Sequence, residues 1–71
     1  MTDLQLRIVD LEYAVNNYKK ELRRIKSAIN KVEKLGLTLP TEIIVKKENI
    51  EIELKERKEE LKALKKVAKL I

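Results

Sequence analysis

The chain of 71 residues contains no Cys, no His, no Trp and no Phe, and these absences narrow the chemistry open to it. Without Cys there is neither a disulfide nor a thiolate zinc site. Without His the commonest metal ligand and general base is missing. The sequence also shows no glycine-rich phosphate loop and no nucleophile paired with a base. We therefore expect a protein that is not an enzyme, has no small-molecule substrate and holds no cofactor or metal.

Long apolar runs are also missing, since none approaches the roughly 20 residues that a membrane-spanning helix needs. The first residues lack the basic and apolar regions of a signal peptide. Charged residues make up 41% of the chain and aromatic residues only 3%, which is typical of a coiled coil. The heavy use of Lys, Glu and Ile also suits a hyperthermophile. These features predict a soluble, cytoplasmic protein.

Gly and Pro occur once each, and both lie near the middle of the chain. Gly36 suits the left-handed residue that follows a helix, and Leu37 then occupies the next position, where an apolar contact is favoured. The following helix has two candidate N-caps, Thr38, or Leu39 with Pro40 as the first helical residue. The pattern therefore predicts one hairpin domain over residues 1–71, with a helix at about 2–35, a turn at about 36–39 and a helix at about 40–71.

Both predicted helices carry a heptad repeat, in which positions a and d form the apolar seam of a left-handed coiled coil. In the first helix, positions a are Ile8, Val15, Leu22 and Ile29, and positions d are Leu4, Leu11, Tyr18, Ile25 and Val32. In the second, positions a are Lys47, Leu54, Leu61 and Ala68, and positions d are Ile43, Ile50, Arg57, Leu64 and Ile71. The short connection makes the helices antiparallel. We predict an all-α, antiparallel two-helix coiled-coil hairpin that dimerises into a four-helix bundle.

The antiparallel register places Arg57 opposite Tyr18, with Glu21 and Glu53 beside them. In one interpretation, Arg57 lays its methylene groups along the seam and keeps its charge in water. In the other, these four residues form a polar layer that specifies the register, with Arg57 bridging both carboxylates and stacking on the tyrosine ring. Such a layer disfavours slipped pairings at some cost in stability. The sequence leaves both interpretations open.

Apolar residues outside the seam form three further stripes, although a two-helix rod needs only one stripe per helix. The N-terminal stripe is Leu6, Val9 and Tyr13. The turn stripe is Ile44, Val45 and Ile52. The C-terminal stripe is Ala63, Val67 and Leu70. Two hairpins packed side by side would bury such residues, with the turn stripe against the partner's N-terminal stripe in an antiparallel pair. We expect a homodimer, or association with a partner coiled coil.

A basic outer face on the first helix supports a second function. It consists of Lys20, Arg23, Arg24, Lys31 and Lys34, in a chain with a formal net charge of +5. A charge run is usually a solvated face, but an extended basic stripe also suits a nucleic-acid backbone. In size and architecture alone, the chain resembles the Rop family of plasmid-copy-number RNA-binding proteins. The alternative function is therefore a small basic hairpin that regulates by binding DNA or RNA.

The C-terminal segment 61–71 is basic and amphipathic, like a helix that lies on a membrane surface. Its apolar residues are already assigned to the seam with the first helix. We therefore do not expect a membrane to be a partner. The interaction module ranks first, because regular apolar spacing arises by accident less readily than an excess of lysine.

Overall fold

A computed structural model describes residues 2–71 as two long helices folded back on each other. Helix α1 spans Asp3–Lys34 and helix α2 spans Thr41–Leu70. The helices pack as an antiparallel hairpin whose Cα atoms fill a rod of 54 × 15 × 15 Å. The predicted all-α hairpin is confirmed, and both helices begin and end close to the predicted bounds.

The heptad repeat identifies the seam between the helices. Every predicted a and d position except Ile71 is buried or half-buried, including the polar residues Lys47 and Arg57. Ile71 lies just beyond the end of α2 and is 94% exposed. The apolar spacing of the sequence therefore identified the side of each helix that faces the other.

Within residues 2–71, only the middle of the rod contains buried side chains. They are Leu11 and Val15 of α1 and Ile50 and Leu54 of α2. Elsewhere the seam residues are half-buried, because in a two-helix rod each one is covered by a single neighbouring helix. A core of this size supplies little stability by itself.

Helix α1 begins with a capping box. The backbone N–H of Gln5 donates to Oγ1 of Thr2 at 3.2 Å, and the backbone N–H of Thr2 donates to Oε1 of Gln5 at 3.0 Å. These bonds satisfy N–H groups that have no partner within the helix. Asp3 adds a negative charge in the first turn, where the helix dipole favours it.

The end of α1 has the Schellman geometry that the sequence predicted. Gly36 has a φ of 70°, in the left-handed region that glycine adopts without a Cβ clash. Its N–H donates to the Glu33 carbonyl at 3.0 Å, and the N–H of Leu37 donates to the Val32 carbonyl at 3.1 Å. These two bonds satisfy carbonyl groups in the last turn of α1 and fix where the chain reverses.

The start of α2 differs from both predicted caps. The N-cap is Pro40, not Thr38 or Leu39, and it makes no side-chain capping bond. With Thr38 as N-cap, Leu39 would be the first helical residue. A proline disfavours the helical conformation in the residue before it, which excludes this cap. Pro40 itself has a ψ of 136°, so its backbone is extended, and its carbonyl accepts the N–H of Ile43 at 3.1 Å. The helix therefore starts at Thr41.

Candidate functional site

Two ion pairs mark one side of the seam, which we call the ion-paired side. Nη2 of Arg7 lies 2.7 Å from Oε1 of Glu60, and Nζ of Lys46 lies 3.4 Å from Oε1 of Glu21. All four side chains are at least a third exposed, so each pair contributes little stability. Ala14 lies two helical turns from both Arg7 and Glu21, and it therefore faces the same side. The ion-paired side thus combines charges of both signs with small apolar residues.

The opposite side of the seam carries a groove that both helices line with basic residues, which we call the lysine groove. Heptad position e places Glu12 and Lys65 on this side, where Nζ of Lys65 lies 4.0 Å from Oε1 of Glu12. The floor is formed by seam residues such as Val15 and Leu61, and the wider part has a volume of about 510 Å³. The basic residues that line the groove are Lys19, Arg23, Lys26, Lys58, Lys62, Lys65, Lys66 and Lys69.

The lysine groove was missed at the sequence level, although its signal was present. The signal is a run of lysines at helical spacing, formed by Lys58, Lys62, Lys65 and Lys69. The C-terminal part of this run also gives segment 61–71 its likeness to a membrane-surface helix. Once α2 is aligned against α1, the lysines at positions e come together, and Lys19 and Lys58 line the same part of the groove. The signal appears only when both helices are considered together.

Three members of the predicted polar layer, Glu21, Glu53 and Arg57, lie close enough to Tyr18 to influence its pKa. Tyr18 and Arg57 are half-buried in the seam. Hydrogen bonding to the Glu53 carboxylate raises the pKa of Tyr18 above its ordinary value, while the nearby Arg57 charge acts in the opposite direction. Within the layer, Glu53 therefore has the largest effect on the pKa of Tyr18.

The bridge predicted for Arg57 is not present. Its Nη1 lies 3.9 Å from Oε2 of Glu56, its neighbour in sequence, while Glu21 pairs with a lysine of α2. Since the Arg57 side chain is 37% exposed, its charge reaches water beside the seam. This placement favours the first interpretation, in which the methylene groups of Arg57 cover the seam.

The three apolar stripes are uncovered in the hairpin. Their larger members range from 41% exposed at Ile44 to 88% at Leu70, and Ala63 is exposed as well. The stripes do not form one continuous face. The N-terminal stripe runs along α1 from one end of the rod towards its middle, and the turn stripe runs along α2 from the other end. The C-terminal stripe faces the ion-paired side, because Val67 lies two helical turns beyond Glu60.

The basic outer face lies along the outside of α1. Lys20, Arg23, Arg24, Lys31 and Lys34 are all exposed, and none of them takes part in an ion pair within residues 2–71. Arg23 also borders the lysine groove. The outer face therefore lies on one convex helix, whereas the lysine groove has basic residues on two sides.

Neither of the two described helices is long and apolar enough to cross a membrane. Within residues 2–71, no three carboxylates come together as a group that could hold a metal ion. Comparison of the chain with protein-family models, with curated proteins and with solved structures finds no match. A functional assignment therefore depends on the chain's own surfaces.

Proposed function

We propose that the chain is a cytoplasmic, non-enzymatic self-association module, whose hairpin pairs with a second copy to form a four-helix bundle. The observation that carries this proposal is the distribution of large apolar residues. Within the described part of the chain, eleven of them are exposed and only four are buried. Exposed apolar stripes of this kind are typical of interaction surfaces, since a monomer that stays single keeps them few.

The total surface supports the same proposal. The hairpin exposes 5888 Å², whereas a compact monomer of its mass, 8.3 kDa, is expected to expose about 4,600 Å². Its radius of gyration is 16.2 Å, against about 11 Å for a compact domain of this length. A standard interface buries about 800 Å² on each partner, which is less than the excess surface. Packing against a second copy would therefore bury much of this excess surface.

Charge favours the ion-paired side as the contact between copies. In a two-fold dimer the same surface of each copy meets, so pairing through the lysine groove would bring like charges together. The ion-paired side carries charges of both signs, and Ala14, Ala28 and Val67 occupy its positions next to the seam. An apolar stripe widened on one flank of the seam is the pattern of helices that pack in a bundle.

That contact covers the C-terminal stripe, whereas the N-terminal and turn stripes lie outside it and stay exposed in such a dimer. Their exposed residues suit a partner coiled coil, which is the alternative to a homodimer. The mass of the purified chain in solution distinguishes the two. A homodimer forms from this chain alone, whereas a complex with another protein does not.

Sedimentation equilibrium of the purified chain at micromolar concentration tests the proposal. We expect a species of twice the chain mass of 8.3 kDa, in reversible exchange with the monomer. A single species at the chain mass over the whole concentration range would contradict self-association. The exposed stripes would then be assigned to the binding of a partner coiled coil.

A further inference from the structure

The lysine groove concentrates basic side chains beyond what the net charge of the chain requires. Its eight basic residues face a single carboxylate within ion-pair distance, Glu12, which lies 4.0 Å from Lys65. Glu51 and Glu59 border the groove only at its edge, beside Lys58. The groove is therefore a strongly positive channel whose charges are largely not neutralised within residues 2–71.

We propose that the lysine groove binds the phosphodiester backbone of double-stranded nucleic acid. Along α2, Lys58, Lys62, Lys65 and Lys69 supply about one ammonium group per helical turn of 5.4 Å, over roughly 16 Å of helix axis. A strand of duplex presents a phosphate every 3.4 Å along its axis. Flexible lysine stems let each ammonium group meet a phosphate without a fixed geometry. Lys19 and Lys26 of α1 line the opposite wall.

The type of basic residue favours phosphate over a carboxylate-bearing protein. Seven of the eight residues are Lys, which acts as a point charge, and only Arg23 has the planar fork that matches a carboxylate. Lys is also depleted from the buried parts of protein interfaces. A polyanion can bind while the ammonium groups keep their water. An acidic helix would have to displace that water, so it fits this surface less well.

A duplex is favoured over a single strand because no aromatic side chain lines the described groove. Proteins that bind single strands stack bases on aromatic rings. Tyr13 lies on the outside of α1, and Tyr18 is a seam residue whose pKa is raised by Glu53, on the other side of the seam. Binding that follows the backbone alone is expected to show little preference for sequence.

The proposal is independent of self-association. The ion-paired side and the lysine groove lie on opposite sides of the seam, so a dimer formed through the former leaves a groove open on each hairpin. A variant altered in the groove is therefore expected to keep the oligomeric state of the wild type.

Fluorescence anisotropy with short labelled duplexes of DNA and of RNA, over a range of salt concentrations, tests the proposal on the full chain. The groove variant carries Lys58→Glu and Lys62→Glu. Its matched control carries Lys31→Glu and Lys34→Glu, which make the same change in charge on the basic outer face. We expect the groove variant to lose at least about tenfold in affinity and about two units of salt slope, and the control to bind nearly as the wild type does.

Equal losses in the two variants would overturn the proposal, since binding would then follow net charge alone. A wild type that binds neither duplex at low salt would overturn it as well. Polyglutamate and vesicles containing phosphatidylserine serve as competing probes, and binding to either as tight as to duplex would also contradict it. Lys58→Gln with Lys62→Gln repeats the test without adding acidic residues, and circular dichroism verifies that each variant folds.

Discussion

Tyr18 reports on the polar layer through its ionisation. Tyr13→Phe leaves Tyr18 as the only tyrosine, so absorbance near 295 nm follows its titration alone. Because hydrogen bonding to the Glu53 carboxylate favours the protonated phenol, we expect the pKa of Tyr18 to lie above the ordinary value of 10.0. Adding Glu53→Gln removes the carboxylate and lowers this pKa. An unchanged titration in the double variant would contradict the hydrogen bond.

The same hydrogen bond makes the free energy of unfolding depend on pH. The pKa of Tyr18 is raised in the fold, so the bond contributes fully below the unfolded pKa of about 10 and is lost as pH rises through the folded value. Lysines also lose their charge in this range, so Tyr18→Phe is the reference. We expect urea unfolding to show that the wild type loses more free energy of unfolding above pH 10 than the variant does.

Replacing Arg57 tests whether this residue serves the stability of the seam or the specificity of its register. Its only ion pair within residues 2–71 is with the adjacent Glu56, so Arg57→Leu breaks no bond between the helices. We expect thermal unfolding to occur at an unchanged or higher temperature, with a gain of up to about 2 kcal/mol from apolar burial, but with a looser register or oligomeric state. Circular dichroism and sedimentation velocity measure these two effects.

Lys47→Leu is the matched control for Arg57→Leu, because Lys47 is the other basic residue at a seam position. It lies near the turn, away from Tyr18, and its ion pair is with Glu51 of the same helix at 3.1 Å. We expect similar stabilisation with the register intact, as distances between spin labels on α1 and α2 would show. A large loss of stability in Arg57→Leu alone would mean that this residue holds the seam together.

The residues that form the seam could be predicted one by one, but their partners across it could not. Apolar spacing places Tyr18 and Arg57 in the seam because each occupies a d position of its heptad. The choice of Glu53 by Tyr18, and of Glu56 by Arg57, depends on rotamers of long side chains at the edge of water. Several partners lie within reach there at similar free energy, and sequence spacing does not rank them.

At the scale of the elements, Gly36 is the residue on which the hairpin turn most depends. Its φ of 70° is costly for residues with a Cβ, and a Cβ at this position would meet no atom within 4 Å. We therefore expect Gly36→Ala to lower the free energy of unfolding by about 1 kcal/mol through backbone conformation alone. Gly36→Asn is expected to cost less, because Asn tolerates the left-handed region better. Urea unfolding at one protein concentration measures both.

An alanine variant as stable as the wild type would contradict the requirement for a left-handed residue. The comparison of the two turn ends also shows what sequence could predict here. The end of α1 was predictable because a single Gly followed by Leu satisfies one specific motif. The start of α2 was not, because Pro40 is compatible with both an extended and a helical ψ, and the path of the crossing chain selects the extended one.

For the whole molecule, the proposed dimer contact on the ion-paired side is open to a direct test. Val67→Glu places a charge on the ion-paired side, whereas Val9→Glu makes the same change on the outside of α1. Both valines are about half exposed in the hairpin. We expect Val67→Glu to raise the dimer dissociation constant at least about tenfold and Val9→Glu to leave it nearly unchanged, as measured by sedimentation equilibrium. The reverse result would assign the interface to the N-terminal stripe.

Surfaces formed by both helices were harder to predict than the fold. The seam follows from each heptad separately, and the apolar stripes follow from each helix separately. The lysine groove exists only where Lys19 of α1 and Lys58 of α2 face each other, so it requires the register as well as the pattern. The basic outer face could therefore be predicted, because one helix forms it alone, whereas the groove could not.

The confinement of the buried core to the middle of the rod has a consequence for motion. Segments with few buried contacts open at low free energy, so the two ends are expected to exchange amide hydrogens sooner than the turns around Val15 and Leu54. The part of the lysine groove around Lys19 and Lys58 lies over this centre, so a polyanion would meet a surface that is already ordered there. Leu6 of the N-terminal stripe and Ile44 of the turn stripe lie nearer the ends, where a protein partner would have to order the chain as it binds.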